Sequence, residues 1–284
     1  MTNLPTPAPI QLPRIVEVAL AEDLGRGDIT TDSCVPPDVM GRCAFRARSA
    51  LISAGGAVIA EVFAQVDRDV RVSELVPDGT ALAPGAVMAL VSGPAASLLK
   101  GERVALNFIQ RLCGTATLTR RFVDALPVGS RTRIVDTRKT TPGLRALERL
   151  AVRAGGGHNH REDLGAAVLI KDNHVAAAGG VEQAILRCRE QAPHTTRIEC
   201  EVDSIAQLEQ ALAAKADIVL LDNFSDAMVA DAVRINQGRA ILEASGNISL
   251  ARVGVLAELG VDVISVGALT HSAAAADIGL DWEA

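Results

Sequence analysis

The segment DTRKTTPGLRALERLAVRAGGGHNHR, residues 136–161, gathers Arg138, Lys139, Arg145, Arg149, Arg153, Arg161, His158 and His160 in a chain whose formal net charge is -6. Arginine can hold a carboxylate or phosphate through two parallel charge-assisted hydrogen bonds, whereas lysine acts as a compact point charge. With Lys171, the groups Thr137, Arg138, Lys139, His160 and Arg161 describe a pocket for a substrate bearing several negative charges, because such cations repel one another until a polyanion arrives. Glu201 and Asp222 cannot bind that anion directly; their oxygens suit sugar hydroxyls or a magnesium ion carried by a diphosphate. Ser245, Gly246 and Asn247, and the ValGlyAla run at 266–268, are small enough for backbone N–H groups to approach a phosphate. Arg145, Arg149 and Arg153 recur at four-residue steps beside Glu148 and read as charges on a helix surface. The glycines at 155–157 suit close backbone approach, and His158, His174, His194 and His271 read as structural.

These residues share a position relative to the elements around them. Short apolar runs recur beyond residue 130, each ending in polar residues: RIVDTRK, AVLIKDNH, RIECEVD, DIVLLDN, AILEASGN and DVISVGA. Helix-length segments such as VEQAILRCREQA lie between most of them, so continuous strands alternating with helices predict a parallel sheet covered on its outside. The repeat favours a barrel, closed or nearly so, over an open dinucleotide fold, and no GxGxxG follows the first strand. In such barrels the functional residues sit at the strands' C-terminal ends, with phosphate sites after the last strands. Upstream, LPRIVEVALAEDL and GGAVIAEVFAQV predict helices, RCAFRARSA and VRVSELV strands, and VPDGTALAPGAVMALVSG a turn followed by a strand. That hairpin has no lysine at its tip, which counts against a lipoyl-type carrier. Residues 94–126 predict one long helix or consecutive helices joining two domains.

Composition narrows the class. The chain has 284 residues, 49% of them apolar, enough for a substantial core. One Trp, five Phe and no Tyr offer few platforms for stacking bases, and with the acidic balance this argues against nucleic acid as a partner. Five cysteines without CxxC spacing predict reduced thiols in a cytoplasmic protein. No apolar run approaches the ~20 residues of a membrane span, and the first residues lack a signal-like pattern.

The segments EDLGRGDITTD, ERVALNFIQRLCGTAT, VDTRKTTPGLRALERLAVRAGGGHNHR, LIKDNH, EVD, LLDN, EASGNI and DVISVGALTHS, in this order, closely resemble the quinolinate phosphoribosyltransferase family, over about residues 12–281. The resemblance implies an N-terminal α/β sandwich domain and a C-terminal open α/β barrel of the type II phosphoribosyltransferase kind. It divides the chain into a flexible tail at 1–11, a first domain at 12–107, a catalytic barrel at 108–270 and a segment at 271–284 returning to the first domain. The implied reaction joins quinolinate to phosphoribosyl pyrophosphate with Mg2+, releasing pyrophosphate and CO2 and giving nicotinate mononucleotide. The family works as homodimers or larger assemblies, and the motif match implies that Arg103 reaches the neighbour's site. It further implies that Arg138, Lys139, His160, Arg161 and Lys171 surround quinolinate. Glu201 and Asp222 take the ribose hydroxyls and Mg2+, and Ser245, Gly246, Asn247, Gly267 and Ala268, with Val266 before them, meet the 5-phosphate. Lys139, Glu201 and Asp222 are the expected catalytic groups.

Two departures stand out. Glu162 and Asp163 occupy positions after HisArg where the family often shows an aromatic and a small residue, and AAAAD near 276 lacks a proline often found there. The nearest rival is a paralogue of the molybdenum-transport type with another acceptor. A rival of another class is a non-catalytic phosphate-binding barrel, which has no need of both Glu201 and Asp222.

Overall fold

A computed structural model describes residues 10–283; the tail expected over residues 1–11 lies mostly outside them. The chain forms two compact units, one comprising the residues up to Arg120, Thr140–Gly156 and those from Ala268 onward, the other Arg121–Lys139 and Gly157–Gly267.

In the first unit, the alternating RCAFRARSA stretch, 42–50, overlaps the strand Met40–Ala47, which ends three residues before the stretch does. It sits inside a four-stranded antiparallel sheet in the order Ile278–Trp282, Met40–Ala47, Val87–Pro94, Arg71–Ser73. The chain's last strand is therefore an edge of this sheet, with Phe45 opposite Leu280. Side chains reinforce the pairing: Arg46 donates to Glu283 at 2.5 Å, and Arg48 donates to Asp281. The helix Gly56–Val66 packs Ile59 and Phe63 into the core, where the Phe63 ring meets Phe45 edge to face at 6.2 Å. Met88, Leu98, Ile109 and Leu112 join them, fully buried, and each such side chain contributes about 1.5–3 kcal/mol by leaving water.

The breaker-poor stretch after Pro94 is one helix, Ala95–Asp124, of 30 residues and about 45 Å long. Its Cys113 is buried, and burial pushes the thiol up to about 12, so it behaves as an apolar core group. All five cysteines are free. The helix Arg145–Ala154 buries Leu147, Leu150, Ala151 and Val152 together with Glu148. Glu148, beside the arginines in sequence, thus lies on the inner face; it accepts from Arg111 Nε at 3.1 Å and Thr141 Oγ1 at 2.7 Å. Gly155 ends this helix where a Cβ would stand 2.5 Å from Ala116 O and from Thr119 Cβ, so only glycine permits the approach.

The second unit is a parallel sheet of six strands in the order Arg133–Val135, Val263–Ser265, Ile241–Ser245, Ile218–Asp222, Ile198–Val202, Val168–Ile170. Its first and last strands do not pair with each other among the described residues, so the barrel is open. The helices Val181–Gln191, Ile205–Ala213, Asp226–Asn236 and Leu250–Leu259 follow strands in turn. Ser204 and Ser225 cap two of them, accepting from Gln207 N and Met228 N. No described helix is long and apolar enough to cross a membrane.

Candidate active site

Strands of a parallel sheet all end at one rim, so residues far apart in sequence meet there. A cavity of about 530 Å³ opens at this rim, lined by Thr137, Arg138, Lys139, His160, Arg161, Leu169, Lys171, Glu201, Leu220, Asp222, Asn223, Glu243, Ser245, Gly246, Asn247 and Ser265. The cations come from the two chain stretches that flank the open edge, and the carboxylates Glu201 and Asp222 from adjacent central strands.

Each group is held locally. Thr137 Oγ1 accepts from Lys139 N at 3.1 Å. Arg161 donates from Nη1 to Ala167 O at 3.0 Å. Burial lowers the pKa of the Arg161 guanidinium, and Arg138 beside it adds to the lowering, while Glu199 opposes both. Lys171 pairs with Glu201 at 3.1 Å, and its backbone N–H donates to His174 Nδ1 at 2.9 Å, which gives His174 a structural role at the start of the helix Asp172–Ala178. Asp222 accepts from Asn223 Nδ2 at 2.8 Å.

The turn after Ile241–Ser245 is tightly constrained. Asn223, Gly246 and Asn247 all have positive φ, at 55°, 91° and 48°. Asn223 N donates to Ser245 O at 3.0 Å, and a Cβ on Gly246 would stand 2.2 Å from Asn223 Oδ1. Any side chain at Gly246 would push this loop apart.

Four expected residues lie elsewhere. Arg103 is exposed on the 30-residue helix of the first unit. Val266 is 2% exposed and its N–H already donates to Val135 O at 3.0 Å, so neither offers a phosphate contact. Gly267 and Ala268 follow it, outside the cavity lining, with Ala268 opening the short helix Ala268–His271. Glu162 and Asp163 are both exposed, and Asp163 accepts from Gly165 N at 2.8 Å.

The sequence reading missed the layer beneath the rim. Glu199 and Glu243 are 3% and 4% exposed, and His160 Nε2 stands 3.4 Å from one and 3.5 Å from the other. Asp136, fully buried, accepts from His160 N at 2.7 Å and Asn159 Nδ2 at 2.6 Å. The signal was present in the period of two: Glu199 precedes Glu201 by two residues and Glu243 precedes Ser245 by two, on the same inward face. Burial pushes Glu199 above the usual carboxylate range, Glu243 adds to the rise, and His160 opposes it. For His160, burial works against charge, while the two carboxylates favour it and pull the ring's pKa upward. The same imidazole receives the Arg161 N–H at Nδ1, at 2.7 Å. A proton on Nδ1 and a hydrogen bond received there exclude each other, so the Arg161 N–H contact opposes that pull: while it is made the ring is neutral with its hydrogen on Nε2, and charging the ring requires it to leave Arg161 N.

Fold and site together define a class: an open-barrel α/β protein with clustered cations and carboxylates at its strand ends. Residues 28–113 match the family model for the quinolinate phosphoribosyl transferase N-terminal domain, and residues 115–281 match the model for its C-terminal domain. The chain belongs to the quinolinate phosphoribosyltransferase family. It is 43% identical over 272 residues to a probable nicotinate-nucleotide pyrophosphorylase [carboxylating] of Bacillus subtilis, covering 96% of this chain and 93% of that one. It is 45% identical over 271 residues to the nicotinate-nucleotide pyrophosphorylase [carboxylating] of Mycobacterium leprae, covering 93% and 94%. The solved nicotinate-nucleotide pyrophosphorylase of Francisella tularensis superposes with a TM-score of 0.93 at 39% identity over 100% of both chains.

Proposed function

We propose that the protein transfers the phosphoribosyl group of phosphoribosyl pyrophosphate to quinolinate, releasing pyrophosphate and CO2 and leaving nicotinate mononucleotide. One observation carries this reading: Arg138, Lys139, Arg161 and Lys171 converge on one cavity whose other wall holds Glu201, Asp222 and the SerGlyAsn turn. Two ring carboxylates satisfy the cations, and the turn suits the 5-phosphate.

In the reaction the pyridine nitrogen forms a bond to the anomeric carbon as the bond to pyrophosphate breaks, and positive charge develops on the ribose. Glu201 and Asp222 place negative charge where it favours that transition state. The arginines orient the ring, which converts an encounter into a near-unimolecular step. Once quaternised, the ring nitrogen's positive charge stabilises the electron pair left on the adjacent carbon when its carboxylate departs as CO2, and that pair then takes a proton. Lys139, exposed at the cavity wall, is the residue we assign to deliver it.

Glu201 and Asp222 present hard oxygen donors that fit Mg2+, with the remaining positions left for substrate oxygens and water. When bound, Mg2+ neutralises charge on the diphosphate leaving group. Glu201 would hold the ion once Lys171, its ion-pair partner here, turned to a substrate carboxylate. We place the reaction in the cytoplasm, in keeping with five free thiols, and in a homodimer in which Arg103 serves the partner's site.

The deciding experiment incubates the protein with phosphoribosyl pyrophosphate, Mg2+ and either quinolinate or nicotinate, and follows CO2 and mononucleotide. Turnover with quinolinate is expected, with nicotinate slower by roughly 10⁴-fold because its missing carboxylate leaves arginines unmatched. Comparable rates would refute the carboxylating assignment. For the dimer, Arg103→Ala and Lys171→Ala are each expected to be inactive and their mixture partly active; no recovery in confirmed mixed dimers would refute a shared site.

A further inference from the structure

The layer beneath the rim has an arrangement that the reaction above does not use. Glu199 and Glu243 reach the barrel interior from strands separated by Ile218–Asp222, and both carboxylates face the same atom, His160 Nε2, at 3.4 and 3.5 Å. The oxygens facing the ring are Glu199 Oε2 and Glu243 Oε1; Glu199 Oε1 and Glu243 Oε1 make no hydrogen bond among the described residues, so Glu243 meets the ring as a charge at 3.5 Å. An imidazole nitrogen confronting two carboxylates carries a hydrogen, and while the ring is neutral the other nitrogen is an acceptor. That acceptor, Nδ1, receives the Arg161 backbone N–H at 2.7 Å. The backbone on the near side is pinned as well, since Asp136 accepts from His160 N. The guanidinium of Arg161 then leaves from a fixed backbone and is steadied by Ala167 O.

We propose that Glu199 and Glu243 are positioning residues: together they hold His160 in its Nε2–H tautomer, so that Nδ1 anchors Arg161 N–H and sets the Arg161 guanidinium in the anion pocket. Both nitrogens of His160 are thereby engaged with protein, and the ring acts as a strut between the buried carboxylates and Arg161. This places His160 at the pocket wall as a support for the cation that grips the substrate. The proposal rests on the reading that Arg161 binds a ring carboxylate of quinolinate, and it adds which residues orient that arginine.

The test uses the full-length protein labelled with 15N-histidine, with the His160 signals assigned by their loss in His160→Asn. In the free wild-type protein near neutral pH, Nε2 is expected to be protonated and Nδ1 unprotonated. In Glu199→Met/Glu243→Met, which removes both acceptors at similar volume, the two tautomers are expected to interconvert. The same variant is expected to raise KM for quinolinate by roughly 10- to 100-fold, as loss of the outer partner of a functional histidine does elsewhere, with KM for phosphoribosyl pyrophosphate little changed. Glu199→Gln and Glu243→Gln keep a carbonyl acceptor and are expected to recover most of the loss. A protonated Nδ1 in the wild type overturns the proposal without any variant. So does an unchanged tautomer in the double variant, or an equal rise in KM for both substrates. A wild type with no turnover on quinolinate would refute the function proposed above while leaving the tautomer measurement intact.

Discussion

Arg161→Ala is expected to lower kcat/KM for quinolinate by about 10²–10³-fold, equivalent to about 3–4 kcal/mol. The magnitude follows from where the guanidinium sits. It lines the cavity, is partly buried, and lies close enough to Arg138 for the two charges to oppose each other. A carboxylate that arrives between them gains paired hydrogen bonds and relieves that repulsion in the same step. Removing one arginine leaves a desolvated carboxylate with half its partners, so most of the loss should appear in KM for quinolinate. Arg161→Lys is expected to restore only a small part, because an ammonium cannot reproduce the planar two-point grip. An alanine variant within about threefold of the wild type would show that this arginine does not contact substrate.

The second large effect concerns the opposite wall. Asp222→Asn preserves shape and can keep a hydrogen bond to Asn223, but it removes the negative charge proposed to act on the ribose. A fall in kcat of about 10²–10³-fold is expected, on the scale seen when one preorganised electrostatic contact to a transition state is lost. KM for quinolinate should change little under the proposed arrangement, in which Asp222 serves the other substrate. The Mg2+ concentration giving half-maximal rate should rise, because one of two hard carboxylates is gone. If kcat holds while only the Mg2+ requirement changes, Asp222 serves metal binding and not the developing charge. Glu201 is less clean for this test because its ion pair with Lys171 ties two walls of the cavity together.

Much of the site was legible from residue type and position at strand ends. Thr137, Arg138, Lys139, His160, Arg161, Lys171, Glu201, Asp222, Ser245, Gly246 and Asn247 all line one cavity, because a parallel sheet brings every strand's end to the same rim. Val266 shows where that logic stops: the residue after a strand can still be committed to the ladder, and here its N–H completes pairing with Val135. Glu199 and Glu243 were passed over because charge inside a β-rich run looks like a surface residue when one strand is read alone. Only the pairing of Glu201 with Leu220, and of Leu220 with Glu243, shows that these strands turn the same face inward.

The sequence by itself determined the order of strands and helices, the parallel character of the second sheet, the identity of the cations and carboxylates, and the family. These depend on local periodicity and on motifs carried by contiguous residues. The tertiary structure alone decided that the last strand pairs with Met40–Ala47 and is pinned by Arg46 and Arg48, and that Glu148 turns inward to Arg111. It also decided that a histidine beside the anion pocket is wedged between two buried glutamates and a backbone N–H. Each of these depends on residues distant in the chain meeting at hydrogen-bond range, and their energies arise only once water has been excluded from between them.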